Sequence, residues 1–321
     1  MKKIRIVIFA VLMIIAFISI GCSDKNVKKN TQADDFPIGA QDKPAVENSI
    51  GIKLVYIPPG SFMQGSPEDE LGRDDDEKQY KVTFTKGFYM SSTEVTQKQW
   101  TLVMGHNPSA FNRCGDNCPV ENVSWEDVMR FIKALNTLEN KTYRLPSEPE
   151  WEYAARAGSS TAFPNGNLTE PDCCFDSRMD KIGWYVDNSG NGTHPVAQKD
   201  PNKLGLYDMH GNVWEWCADW MSKYPFTEVT DPALTAEKGT YPTSEYKQKI
   251  RRGGAWNNYA RFARSAFRSW YNPNDKASNI GFRIVMDIIE PAAAPVATPV
   301  EPVATPVEPA VAPVEPAATP P

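Results

Sequence analysis

Cysteine and histidine are the residue types in this chain that could hold a metal or carry out redox chemistry. The 321 residues include six cysteines and three histidines. His106, His194 and His210 stand singly, and no pair has the HxxxH or HExxH spacing that places two imidazoles on one helix face. The sequence therefore excludes a histidine-rich zinc or iron site. The net charge of −6 also argues against a nucleic-acid partner, because binding to phosphates needs an excess of basic residues.

The first cysteine, Cys22, follows a segment typical of protein export. A basic start precedes an unbroken apolar run over residues 6–21, which fits a signal peptide and is short for a bilayer-spanning helix of about 20 residues. The sequence SIGC, which ends at Cys22, resembles the lipoprotein box of bacteria, where the cysteine is diacylated and becomes the mature N-terminus. We predict a lipoprotein signal peptide over residues 1–21, with an uncleaved membrane anchor as the alternative. Serine rather than aspartate at position 23 favours the outer membrane.

The other five cysteines are disulfide candidates, because an exported protein folds in an oxidising compartment. Cys114 and Cys118 frame a tight turn that a bridge between them would hold. Cys217 can pair with Cys173 or Cys174, and either choice leaves one thiol over. Adjacent cysteines could also form a reactive pair. We favour a structural bridge and take Cys174 and Cys217 as its candidates.

Composition divides the chain into four segments: the signal peptide, a polar tether over 22–46, a single domain over 47–289, and a tail over 290–321. The tail is rich in Pro, Ala, Val and Glu and repeats every seven residues, as in EPVATPV and EPAVAPV. Two prolines per heptad exclude a coiled coil, because proline breaks a helix. We predict a disordered spacer, with a polyproline stalk or a ligand for a partner domain as the alternatives.

Hydrophobic periodicity places short strands at the start of the domain and three helices after them. The strands are predicted at 53–57, 81–84 and 87–90, and the first helix at 94–104. The second helix begins at Ser124, which forms a capping box with Asp127, and it buries a stripe made of Val128, Phe131, Ile132 and Leu135. The third begins at Ser147, which forms a second capping box with Glu150, and ends at Gly158.

Seven motifs stand in an order that resembles the formylglycine-generating enzyme (sulfatase-modifying factor) family. They are YIPPGSFM from Tyr56, EVT from Glu94, PVENVSW from Pro119, YRLPSEPEWEY from Tyr143, GLYDMHGNVWEW from Gly205, RGGAW from Arg252 and GFR from Gly281. The resemblance covers nearly all of residues 50–287. It implies a compact α+β fold related to C-type lectins, with little regular secondary structure.

The same resemblance implies that the oxidase chemistry of the family is missing. Active members convert a substrate cysteine to formylglycine with copper held by two thiolates, and soft sulfur ligands suit Cu(I). These thiolates lie four and nine residues after the second glycine of the RGG motif, where this chain has Asn258 and Ala263. Ala255 replaces the serine that follows the two glycines. We therefore expect neither bound copper nor sulfatase activation.

One calcium ion is the cofactor that the resemblance does imply. Its ligands would be the carboxylates of Asp208 and Glu215 and the backbone carbonyls of Gly211 and Val213, which are the hard oxygen donors that calcium prefers. The alternative is that both carboxylates cap turns and pair with arginines.

Arginines and tryptophans are concentrated towards the end of the domain. The arginines are Arg251, Arg252, Arg261, Arg264, Arg268 and Arg283. We predict buried pairs with carboxylates, which suit the planar guanidinium, and keep a pocket for an anionic ligand as the alternative. Trp214, Trp216 and Trp220 are typical of core aromatics, although the resemblance places Trp214 beside the active site of the family.

The region of the former active site, residues 256–279, supplies the predicted ligand-binding surface. Aromatic rings give stacking area and asparagines give adaptable hydrogen bonds, although asparagines also simply make turns. The predicted ligand-binding residues are Trp214, Trp256, Asn257, Asn258, Tyr259, Arg261, Trp270, Tyr271 and Asn272. The stretch is also similar to the variable regions of retroelement-diversified binding proteins with the same fold.

These features predict a lipoprotein of the bacterial cell envelope, attached to the membrane by its lipid, whose domain binds a protein, peptide or glycan ligand. One alternative is a metal-dependent oxidase or oxygenase of the same superfamily with altered ligands. A second is a structural envelope component similar to gliding-motility lipoproteins.

Overall fold

The computed structural model describes residues 43–171, 173–234 and 247–288. The predicted signal peptide, the predicted lipidation site at Cys22 and the proline-rich tail lie outside the described residues. Within them, no helix is both long enough and apolar enough to cross a bilayer.

Four α-helices lie in the described part of the chain: α1 (Gln97–Met104), α2 (Trp125–Glu139), α3 (Glu148–Arg156) and α4 (Met179–Ile182). Capping boxes at Thr96, Ser124 and Ser147 start the first three helices, and each cap accepts a hydrogen bond from the backbone N–H three residues on. The boxes at Ser124 and Ser147 confirm the sequence prediction. The first helix begins at Gln97 rather than at residue 94, because Thr96 is its cap. The third ends at Arg156, where Ala157 already has a left-handed backbone.

Twelve strands lie in the same described ranges: β1 (Val46–Glu47), β2 (Lys53–Ile57), β3 (Gly60–Gln64), β4 (Tyr80–Phe84), β5 (Phe88–Ser91), β6 (Tyr143–Arg144), β7 (Trp214–Trp220), β8 (Val229–Thr230), β9 (Lys249–Arg252), β10 (Ser269–Tyr271), β11 (Ile280–Gly281) and β12 (Val285–Asp287). They form a five-stranded sheet in the order β1-β2-β5-β12-β6, a four-stranded sheet β10-β9-β7-β11 and a three-stranded sheet β3-β4-β8. Val46 pairs with Leu54, so the chain joins a sheet within the last residue of the predicted tether. The short mixed elements confirm the predicted α+β fold.

The sheet β10-β9-β7-β11 separates two hydrophobic clusters. Because side chains alternate along a strand, Cys217 and Ile250 join a cluster around α3, whereas Trp214 and Trp216 join the cluster around α1 and α2. The buried stripe of α2 belongs to this second cluster, as the sequence predicts. The two faces of this sheet therefore pack against different clusters, and the candidate site lies on the face of the cluster around α1 and α2.

The cysteines follow the prediction at one bridge and depart from it at the other. Cys114 and Cys118 form the predicted disulfide, with their Cα atoms 5.9 Å apart. The predicted bridge between Cys174 and Cys217 is wrong. Cys217 is 0% exposed in the cluster around α3, whereas Cys173 and Cys174 lie at the surface with their sulfur atoms 2.6 Å apart.

Candidate functional site

The face of β9 and β7 that meets α3 holds its charges in buried pairs. Arg252 is fully buried, and its Nη2 donates to Oε2 of Glu152 on α3 at 2.6 Å. The same guanidinium also donates to the backbone carbonyls of Ser265, Ala266 and Phe267. The planar guanidinium has several donors in fixed directions and suits this buried site, because it donates a hydrogen bond to the carboxylate and to each of the three carbonyls.

Four further arginines of the predicted set also pair with carboxylates. The closest N–O distances are 3.0 Å for Arg261–Asp74, 2.6 Å for Arg264–Glu77, 2.7 Å for Arg268–Glu148 and 2.6 Å for Arg283–Glu215. Burial by itself raises the pKa of Glu148, but the guanidiniums of Arg268 and Arg252 hold that pKa below its ordinary value. The prediction of buried carboxylate pairs is therefore confirmed for Arg252, Arg264, Arg268 and Arg283, whereas Arg261 pairs with Asp74 at a partly exposed position.

The opposite face of β9 places cations between aromatic rings. Lys249 Nζ lies 4.1 Å from the ring centroid of Trp125 and 4.0 Å from that of Trp220. Two residues further on, the guanidinium carbon of Arg251 lies 4.8 Å from the ring centroids of both Trp214 and Tyr271. Cation–π contacts of this kind contribute about 0.5–2 kcal/mol each.

Arg251 differs from the other five arginines because no carboxylate in the described ranges forms an ion pair with it. Within those ranges its hydrogen bond runs from Nε to Oγ of Ser269, at 3.1 Å. Burial between the two rings lowers the pKa of Arg251 to about 10, against the opposite influence of the Tyr271 phenol. The predicted carboxylate pair is thus wrong at this position, and the guanidinium is half-buried without a described counter-ion.

Trp214, whose ring contacts Arg251, also connects this arginine to a second group of aromatic and amide residues. The backbone N–H of Trp214 donates to the carbonyl of Asn279 at 2.8 Å, and Asn279 Nδ2 donates to Oδ1 of Asn257 at 3.0 Å. The neighbouring ring of Trp256 packs edge-on against Phe111, with centroids 5.2 Å apart. We call the surface made by Arg251, Tyr271, Trp256, Asn257 and Asn279 the recognition face.

The predicted ligand-binding residues divide between this face and other places. Trp256, Asn257 and Tyr271 belong to it, whereas Trp214 is 3% exposed and supports Arg251 from the core. Tyr259 is 44% exposed at the edge of the same segment.

The remaining predicted residues have structural contacts. The carbonyl of Asn258 accepts the N–H of Val186, and Asn272 Oδ1 closes a turn. Arg261 is directed to Asp74, and Trp270 packs against the cluster around α3. The sequence places Arg251 only among the six arginines of the alternative anionic pocket, includes Asn279 only as the end of the 256–279 region, and does not indicate Phe111. The alternation along β9 is the signal that separates Arg251 from Arg252.

Comparison with known proteins identifies the family to which the fold is related. The profile of the family described as "Sulfatase-modifying factor enzyme 1-like domain" matches residues 41–288. The chain belongs to this family.

Several relatives and solved structures resemble the chain over most of its length. It is 30% identical to the formylglycine-generating enzyme of Mus musculus over 73% of this chain and 75% of the relative. It is also 30% identical to the chaperone protein LppX of Paenibacillus barcinonensis, over 62% of this chain and 79% of the relative. The structure of PvdO from Pseudomonas aeruginosa matches with a TM-score of 0.65 and 30% identity, covering 76% of this chain and 98% of that one. Treponema denticola variable protein 1 matches with a TM-score of 0.66 and 25% identity, covering 77% and 100%.

The three positions that hold the reactive groups of the family do not fit copper in this chain. Ala255 and Ala263 are both buried, and the methyl group of Ala263 lies against the backbone at Gly254. The Ala263 carbonyl accepts a hydrogen bond from Nδ1 of His210, at 2.7 Å. Hydrocarbon and amide groups replace the thiolates that Cu(I) prefers, so the site cannot hold copper by the family's ligands.

Of the two predicted calcium-binding carboxylates, Glu215 is held in an ion pair with Arg283. Both oxygens of Glu215 accept hydrogen bonds from Arg283, at 2.6 and 2.7 Å, and one also accepts from Trp151. Asp208 Oδ2 accepts the N–H of Ala197, and burial raises the pKa of Asp208 to about 6. A guanidinium on Glu215 does not fit the predicted ligand set of Asp208, Gly211, Val213 and Glu215. The described residues also contain no cluster of three or more His, Cys, Asp or Glu side chains suited to a metal. Calcium binding itself stays a prediction.

Proposed function

We propose that this protein is a lipid-anchored component of the bacterial cell envelope whose sulfatase-modifying-factor domain binds a polypeptide partner and carries out no copper-dependent oxidation. The observation that carries the proposal is the recognition face, where a half-buried cation and a pair of linked asparagines lie beside aromatic rings. A polypeptide is favoured over a glycan because one relative, LppX, is named a chaperone.

The recognition face has the composition that binding surfaces use. Tyrosine and tryptophan bury a large area with few rotatable bonds, and arginine and tryptophan are frequent among residues that dominate binding energy. Tyr271 is held on β10, whose partner β9 carries Arg251, so both side chains lie on a paired sheet rather than on a loop. A partner would therefore meet groups that are already ordered, which reduces the entropy lost on binding.

Copper titration of the full-length protein tests the loss of oxidase chemistry. In competition with a coloured Cu(I) chelator, we expect the wild-type protein to leave the metal with the chelator. The double variant N258C/A263C, which restores two thiolates at the family's positions, should withdraw Cu(I) from it. Tight Cu(I) binding or oxygen consumption with a thiol peptide by the wild-type protein would instead support the alternative of an oxidase with altered ligands.

A peptide array probes the binding role. Full-length protein is applied to immobilised peptides of varied sequence, beside a W256A/N257A variant and a control variant, L138A, at an exposed position on α2. Peptides that retain wild-type and L138A protein but lose W256A/N257A protein support the proposal. Equal retention of all three proteins, or of none, contradicts it.

Cell fractionation tests the anchor. We expect the wild-type protein in the membrane fraction, and specifically in the outer membrane if the envelope has two membranes. The C22S variant should be found in the soluble fraction or should keep its signal peptide. Co-purification of wild-type protein with a stable membrane complex, independent of the recognition face, would favour the structural envelope role.

A further inference from the structure

We propose that Arg251 is a carboxylate-binding residue, whose terminal guanidinium edge receives a carboxylate group of the polypeptide ligand. This inference rests on the proposed function and specifies the chemistry that the recognition face selects. Nothing in the family relationship assigns a role to Arg251, and the family's reactive positions in this chain are Ala255, Asn258 and Ala263.

The donors that remain on Arg251 define what can approach it. A guanidinium has five N–H groups, and within the described ranges one of them, on Nε, is used by Ser269. Trp214 and Tyr271 lie against the guanidinium, each with its centroid 4.8 Å from the central carbon. The edge formed by the two terminal nitrogens is therefore the part left for a ligand, and it offers two parallel donors to a planar carboxylate.

The energetics of the site favour an added anion. A half-buried charge without a counter-ion loses hydration that nothing in the described ranges replaces, which is why the pKa of Arg251 falls to about 10. The two rings already fix the side chain, so little rotamer entropy is lost when a ligand binds. A carboxylate would restore the charge pairing that the other five arginines have within the fold.

The surroundings favour a carboxylate over a phosphate. Phosphate carries more charge and is usually met by several cations. Lys249, the other cation on this face of β9, is buried between Trp125 and Trp220 and donates to the Ala218 carbonyl. The whole chain carries a net charge of −6, which opposes a dianion at long range. A single guanidinium on an acidic protein is therefore better suited to a carboxylate, which is planar and carries one charge, than to a phosphate.

The side-chain Nε–Hε NMR signals of the full-length protein measure this directly. R251K removes and thereby assigns the Arg251 signal, and R113K does the same for Arg113, an exposed arginine that serves as the control. Sodium acetate is titrated at constant ionic strength against sodium chloride, with sodium phosphate as a third series. We expect a saturable shift of the Arg251 signal with acetate and none with chloride, while the Arg113 signal does not saturate. A silent Arg251 signal, an equal response to chloride, or a stronger response to phosphate would overturn the proposal.

Peptides then identify the source of the carboxylate. A peptide retained by the array is compared as the free acid, as the C-terminal amide, and with its acidic side chains replaced by amides. We expect one of the two amide replacements to weaken binding to the wild-type protein by about tenfold, which is the effect of losing one charge-assisted contact. The R251M variant should bind all forms of the peptide equally. If R251M retains the difference between the forms, Arg251 is not the carboxylate partner.

The two failures can be told apart. Peptide binding through Trp256 and Asn257 with a silent Arg251 signal would overturn the inference and leave the proposed function intact. A saturable acetate response without any retained peptide would support the carboxylate site and contradict the proposed polypeptide partner.

Discussion

Arg251 and Arg252 are neighbours on β9, yet the two faces of the strand treat their charges in opposite ways. Arg252 points towards α3, where Glu152 and three backbone carbonyls accept its hydrogen bonds in a fully buried site. Arg251 points to the other side, where aromatic rings surround it and no carboxylate of the described residues pairs with it. One face of the sheet therefore uses charge to hold the fold together, and the other keeps a charge available.

This difference shows how a domain with short helices and strands can be held together by buried ion pairs and still present an unpaired cation at its surface. Buried arginine–carboxylate pairs join segments far apart in sequence, such as Arg264 with Glu77 and Arg283 with Glu215. Breaking such a pair is expensive, since the remaining charge stays buried. An unpaired cation is tolerated only near solvent, and departures from local pairing of this kind are expected at functional sites.

The largest expected effect comes from removing the structural arginine. R252M should lower the free energy of unfolding by about 3–5 kcal/mol, because the Glu152 carboxylate loses a buried partner and three carbonyls lose their donors. Chemical denaturation of the full-length protein measures this, with R113M at an exposed position as the control. A loss below about 1 kcal/mol would mean that the pairs facing α3 do not hold the fold.

The disulfide beside the recognition face should have the next largest effect. Removing the bridge with C114S/C118S frees a short loop and should lower the free energy of unfolding by about 2 kcal/mol in the chain-entropy treatment. The loop begins just after Phe111, which packs on Trp256, so peptide binding should weaken as well. C173S/C174S, at the surface, is the matched control and should change neither quantity.

Glu121 is a buried ionisable residue that, like Arg251, lacks an ion-pair partner in the described ranges, and its expected effect on the free energy of unfolding is smaller. Glu121 is fully buried, its Oε1 accepts the Phe111 N–H, and its Oε2 has no hydrogen-bond partner in the described ranges. Burial raises the pKa of Glu121 to about 7, so the folded state binds its proton more tightly than the unfolded state does. The carboxyl therefore favours folding at acidic pH and loses that contribution as the pH rises to about 7 and above.

E121Q should stabilise the protein at pH 8 by on the order of 1 kcal/mol and have little effect at pH 5, where the wild-type carboxyl is protonated. Unfolding free energies of both proteins at the two pH values test the sign. Greater stabilisation by E121Q at pH 5 than at pH 8 would show that Glu121 is not held protonated by burial.

Much of the fold follows from local signals in the sequence. The capping boxes at Ser124 and Ser147 and the stripe of α2 depend on residues three or four positions apart, so they can be read directly from the chain. The Cys114–Cys118 bridge is equally local. The predicted Cys174–Cys217 bridge is wrong because it requires a contact between distant segments, which the spacing of cysteines alone does not determine.

The candidate site was harder to predict for the same reason. Arg251 and Arg252 are identical residues in adjacent positions, and only the register of β9 against β7 and β10 decides which one meets a carboxylate. Composition predicts Asn257 and Tyr271 for the binding surface, and both lie on the recognition face. Composition also predicts Trp270, but the alternation of β10 directs Trp270 to the opposite cluster.

The central claim is that Arg251 is kept for recognition while Arg252 is kept for stability, and the unfolding free energy of R251M tests it most directly. The variant loses two cation–π contacts and one hydrogen bond but also removes a poorly hydrated charge. We predict a change within about 1 kcal/mol of the wild-type value, beside the loss of about 3–5 kcal/mol for R252M. A loss of about 3 kcal/mol or more for R251M would contradict the account, because Arg251 would then be a structural residue like its neighbour.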